Sequence, residues 1–93
     1  MFKMGILKQG DKYLHFKGYK YEIVLTARDA DNPNKFRVIY KSLIENEGFP
    51  IGTYWDRGLE DFVGEKVFEK NCEYNGIEYK KGDKVKRFTK INK

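Results

Sequence analysis

Ninety-three residues suffice for one domain, spanning 1–93, and leave little room for a second core. The single cysteine excludes an intrachain disulfide and suits a reducing, cytoplasmic compartment. A formal net charge of +5 favours an anionic partner, and the mildly apolar Met1–Leu7, interrupted by Lys3, is too short for a signal peptide or a span, so no membrane association is expected.

Tyr13 to Phe16 reads as a short strand ending at Gly18. Tyr19, Tyr21, Ile23, Leu25 and Ala27 then fall on one face of an extended segment, with Lys20, Glu22, Thr26 and Arg28 on the other. Residues 29–35 are rich in turn formers and suit a long hairpin loop. Phe36, Val38 and Tyr40 alternate against Arg37 and Lys41 in the next strand. After a turn at Glu47-Gly48-Phe49-Pro50, Ile51 to Trp55 reads as a further strand. The i, i+3, i+4 spacing of Leu59, Phe62 and Val63 predicts one helical turn between Arg57 and Val63, stopped by Gly64.

Asn75-Gly76 is the strongest hairpin signal in the chain, because both central positions of a type I′ turn take positive φ. It pairs Cys72–Tyr74 with Ile77–Tyr79. A turn at Lys81-Gly82-Asp83 leads to a last strand from Val85 to Ile91. About six or seven short strands with regularly spaced turns predict an all-β fold. At this length the economical form is a small, partly open SH3-like antiparallel barrel with one short helical turn. Tyr21, Ile23, Leu25, Val38, Tyr40, Phe62 and Phe88 are its expected core.

The charge is unevenly placed. From Lys80 onward there are seven basic residues against one acid, whereas from Glu45 to Glu73 eight acids face three bases. Such asymmetry steers an anionic partner to one end; equally, the two segments can lie on neighbouring strands and neutralise each other. His15 and Trp55 are the sole histidine and tryptophan. His15 shares a strand face with Tyr13, but no second histidine or nucleophile motif accompanies it, so a structural role outweighs general acid–base chemistry and no catalytic residue is assigned. Cys72 has no activating neighbour and is expected to be a small buried hydrophobe. One His and one Cys build no zinc site, the acids lack calcium-loop spacing, and no phosphate-cradling glycine loop is present, so neither metal nor cofactor is expected. Trp55 and Arg57, two apart on an extended segment, project to the same side, where a guanidinium beside an indole either stacks a base and pairs a phosphate or merely braces a corner.

Taken together these residues resemble a bacterial and phage family known only as a domain of unknown function, DUF1653. Its pattern runs Tyr-x-His-Phe-Lys-Gly-x-x-Tyr, an Ala-Arg pair, Val-x-Tyr-x-x-Leu, Trp-x-Arg-Pro-x-x-Met-Phe and a final Arg-Phe. The matches are Tyr13, His15, Phe16, Lys17, Gly18 and Tyr21; Ala27 and Arg28; Val38, Tyr40 and Leu43; Trp55, Arg57 and Phe62; Arg87 and Phe88. They lie in order over residues 10–88. Gly58 and Asp61 replace the family's usual proline and methionine, and the segment before Arg87 is longer than usual.

The leading expectation is a non-enzymatic module that binds an anionic, phosphate-bearing ligand (nucleic acid or nucleotide) through His15, Lys17, Arg28, Tyr40, Trp55, Arg57 and Arg87. The resemblance also permits nucleotide sequestration in a phage setting. The alternatives are an SH3- or Tudor-like protein-interaction module and an enzyme that uses His15 on a nucleotide-like substrate. Self-association to a homo-oligomer is left open.

Overall fold

The computed structural model describes residues 7–91. In chain order these residues form β1 (Lys12–His15), β2 (Lys20–Arg28), β3 (Phe36–Ser42), β4 (Tyr54–Gly58), α1 (Leu59–Val63), β5 (Glu65–Val67), β6 (Cys72–Tyr74), β7 (Ile77–Tyr79), β8 (Lys84–Lys86) and β9 (Phe88–Lys90). The fold is mostly β with one small helix. The strands outnumber the six or seven expected because the last one divides and β5 forms where no strand was predicted, and one predicted strand is displaced. The last strand breaks at Arg87: β8 pairs with β5, and β9 crosses to β1. The strand expected over Ile51–Trp55 starts three residues later, because residues 50–53 form a turn in which Thr53 donates to the Pro50 carbonyl through both its amide and its hydroxyl.

The main sheet is antiparallel, in the order β4-β3-β2-β1-β9, and two-stranded ribbons β5-β8 and β6-β7 accompany it. The sheets do not close into a barrel. The edge strand β4 runs straight into α1, which packs on β3 and β4, so its chain turns away instead of meeting β9.

The alternation of β2 holds only as far as Ile23. Ile23 pairs with Tyr40, but Leu25 pairs with Ile39 and Thr26 with Val38. Val24 is thus one residue extra, a bulge that inverts the faces of everything after it. Leu25, expected in the core, is turned out and 48% exposed. The other six expected core residues are buried. Phe62 of α1 stacks on Phe88 of β9, with centroids 4.0 Å apart and planes at 8°. Tyr13 and Tyr40 meet Phe62 edge-on, at 5.2 and 5.4 Å. Offset and edge-on ring pairs of this kind add to the area term in a small core.

A second aromatic cluster holds the β6-β7 hairpin to the turn between β1 and β2. Phe16 meets Phe68, Tyr74 and Tyr79, and Phe68 stacks on Tyr79 at 4.4 Å. The predicted hairpin is present, with φ of 53° at Asn75 and 79° at Gly76. Its Asn75 side chain lies against Gly18, about 3.0 Å from where a Cβ would stand, and the φ of 100° at Gly18 favours glycine there. Cys72 is half-buried on β6 rather than sealed, because a two-stranded ribbon covers only one side of it. Among the described residues no helix is long and apolar enough to cross a membrane.

Candidate functional site

At one end of the aromatic core the packing opens into a cleft of about 250 Å³. Tyr21, Tyr40 and Phe88 make its floor, each at most 5% exposed. From β4 come Trp55 and Arg57, which do project to one side, as strand alternation requires. His15 at the end of β1, Lys17 and Tyr19 from the turn that follows it, and Asn46, Glu47 and Phe49 from a tight turn at 46–49 complete the lining.

Trp55 is fixed but not sealed. Its indole N–H donates to the Ser42 hydroxyl at 2.8 Å, and Phe49 abuts it edge-on at 5.1 Å. Half its environment is a brace; the rest of the ring lines the cleft. Arg57 donates through Nε to the Tyr40 hydroxyl (3.2 Å) and lies 5.6 Å from the Phe88 ring centroid. Its terminal nitrogens engage no carboxylate among the described residues. Lys17 sits over the Tyr74 ring at 5.0 Å and is likewise without an ion pair.

His15 lies beside these cations. Burial, then Arg57, Lys17 and Arg87, lower its pKa from 6.5 to about 4, since each disfavours a further positive charge. The ring is neutral at neutral pH. Its Nδ1 accepts the Lys17 backbone N–H at 3.1 Å, which leaves the proton on Nε2 as a donor. At the other side of the cleft Asn46 donates to the Tyr21 hydroxyl, and Tyr19 donates to Glu47 Oε2 at 3.3 Å. Burial, with the neighbouring tyrosines next, raises the Tyr21 pKa to about 12.

Five of the seven residues read from the sequence thus line one cleft: His15, Lys17, Tyr40, Trp55 and Arg57. Arg87 is not in the lining. It stands behind His15 at the point where the C-terminal strand changes partners, its Nε buried with no hydrogen-bond acceptor among the described residues. Arg28 is elsewhere. Its guanidinium donates to the Pro33 carbonyl (2.7 Å) and lies over Phe36, tying down the long loop. Tyr19, Asn46, Glu47 and Phe49 also line the cleft but carry no mark of a site in the sequence. The one available signal was the Glu47-Gly48 pair ahead of an aromatic, which marked a turn but not what it would face.

A larger concavity, about 330 Å³, lies between the 29–35 loop and α1. Its arginine, Arg37, is already neutralised by Asp56 at 3.0 Å, and Asp29, Glu60 and Asp61 add negative charge around it. The smaller cleft is the better candidate because Lys17 and Arg57 have no ion pair among the described residues and Glu47 is the one carboxylate of a described residue in its lining, against three in the larger concavity.

The family model for DUF1653, described as a protein of unknown function, matches residues 11–90. No curated protein and no solved structure matches the chain.

Proposed function

The chain belongs to the DUF1653 family, and from that premise we propose that it is a binding module that takes a phosphate-bearing ligand, a nucleotide or a segment of nucleic acid, in the cleft beside Trp55. One observation carries this reading: Lys17, Arg57 and Arg87 converge on a neutral histidine, and none of them has a carboxylate partner among the described residues. Uncompensated cations around a partly buried group repel one another, and an anion relieves that repulsion. The free fork of Arg57 suits two phosphate oxygens, Lys17 supplies a point charge, and His15 Nε2–H supplies a neutral donor. Trp55 offers a flat surface for a base. In this reading the open sheet is an SH3-like barrel unrolled at the β4 edge.

Trp55 is the only tryptophan, so its fluorescence reports on the cleft directly. Nucleotides are titrated against the wild type and Arg57→Ala, with calorimetry as a second readout. The loss of a charge-assisted pair is expected to cost about 1.5–3 kcal/mol, roughly 10- to 150-fold in affinity. If inorganic phosphate, nucleotides and oligonucleotides all fail to bind at low salt, the reading falls.

The peptide-binding alternative has its own observation: Phe49, Ile51 and Tyr54 are 51, 68 and 66% exposed around the free edge of β4, a composition suited to an added strand or peptide. Catalysis by His15 is the weaker alternative. A ring with a pKa of about 4 is a poor proton acceptor at neutral pH.

A further inference from the structure

The cleft is not uniformly basic, and the backbone is unusual at Glu47, the one carboxylate in its lining among the described residues. Asn46 and Phe49 exchange both backbone hydrogen bonds, at 2.9 and 2.8 Å, which leaves Glu47 and Gly48 as a two-residue loop. Their φ values are 48° and 92°, so both occupy the left-handed region that type I′ loops require. Asparagine, aspartate or glycine normally fills the first of these positions. A glutamate there is strained. The strain places a carboxylate in the lining of the cleft, held by the Tyr19 hydroxyl at 3.3 Å and with no lysine or arginine in ion-pair reach among the described residues. The Tyr21 hydroxyl on the floor lies in the field of both poles, Arg57 and Glu47.

A ligand that satisfies both poles has an anionic group for Lys17 and Arg57 and N–H donors for Glu47. A carboxylate is matched best by two adjacent, parallel donors. Among the common bases only guanine has them on its pairing edge, at N1–H and the 2-amino group. Adenine and cytosine place an acceptor beside their amino donor, and uracil sets its single N–H between two carbonyls; each of these acceptors would face the lone pairs of the carboxylate.

We infer that the cleft selects guanine nucleotides, with the phosphate toward Lys17 and Arg57 and the N–H edge of the base on the Glu47 carboxylate. The inference rests on the phosphate-ligand reading above and adds the identity of the base to it. Glu47 is exposed, so Glu47→Gln changes its charge and acceptor pattern without disturbing the core.

The test is calorimetry on the full chain with the monophosphates of guanosine, inosine, adenosine, cytidine and uridine, and with inorganic phosphate. Guanosine monophosphate is expected to bind roughly 5- to 150-fold tighter than the adenosine, cytidine and uridine compounds, the range of one bidentate base contact. Inosine monophosphate, which keeps N1–H but lacks the amino group, is expected in between. In Glu47→Gln the preference should vanish while inorganic phosphate binds at least as tightly as before, because the substitution removes a negative charge from the same lining. Equal binding of all five nucleotides, or a guanine preference that survives Glu47→Gln, overturns the base assignment and leaves the phosphate reading standing. Binding of neither phosphate nor any nucleotide overturns both.

Discussion

His15 illustrates how much of the site depends on neighbours that single residues do not announce. Its strand position next to Lys17 was legible; its charge state was not, because that depends on Arg57 and Arg87 arriving from other parts of the chain. The consequence is measurable. Folding lowers the pKa from 6.5 to about 4, so between these values the unfolded chain takes up a proton that the folded chain refuses. The stability contribution is whole above about pH 6.5, falls as the pH drops toward 4, and levels off below that. In His15→Asn the side-chain oxygen replaces Nδ1 as acceptor for the Lys17 N–H, and this part of the acid sensitivity should disappear. Urea midpoints of both proteins from pH 4 to 7 test it; parallel curves would show that His15 titrates normally in the folded chain. Arg28 shows the opposite limit. Its residue type and motif position pointed to the site, yet nothing local reveals that it lies at the far end of β2, bonded to Pro33.

At the scale of elements, what is legible follows from whether the signal is local. Asn75-Gly76 dictates its own turn chemistry, and Leu59, Phe62 and Val63 mark a helical turn by spacing alone. The bulge in β2 has no such mark. Val24 is a good strand residue with no glycine beside it, and the extra residue is defined only by the register against β3. Alternation therefore assigned Leu25 to the core when it faces out. The bulge makes neighbouring apolar positions very unequal. Ile23→Ala, at 1% exposure, should destabilise by about 2–5 kcal/mol. Leu25→Ala should stay within about 1 kcal/mol of the wild type. Chemical denaturation of the pair decides the matter, and a Leu25→Ala loss as large as that of Ile23→Ala would place the extra residue elsewhere. The Glu47-Gly48 loop is a similar case. Its residues suggested a turn, but the left-handed glutamate and its place in the cleft depend on the bridge between Asn46 and Phe49.

For the molecule as a whole, the core and the cleft share one set of rings, and the lysines of β8 lie outside the cleft lining. Phe62 and Phe88 join α1 to β9, and Phe88 is also part of the cleft floor. Phe62→Ala should therefore cost about 3–5 kcal/mol, a large share of the about 5–15 kcal/mol typical of a domain, and thermal melting should show it; a normal melt would mean that α1 is peripheral. The basic residues legible near the C-terminus have a different place. Lys84 and Lys86 are exposed on β8, with Lys86 opposite Glu65 of β5, and neither lines the cleft. That separation distinguishes a mononucleotide from a polymer. A mononucleotide reaches only the cleft cations, so Lys84→Gln/Lys86→Gln should leave its affinity unchanged at every salt concentration. An oligonucleotide long enough to run from the cleft to β8 would neutralise more charges, each contributing about 0.7–0.9 to the slope of log affinity against log salt. The double substitution should then flatten that slope by about 1.4–1.8, whereas Trp55→Ala should lower affinity by about 1–3 kcal/mol with the slope nearly intact. Affinities at four salt concentrations for the three proteins separate the cases, because stacking in the cleft and charge on β8 move different parameters. An oligonucleotide slope unaffected by the loss of both lysines would confine recognition to the cleft.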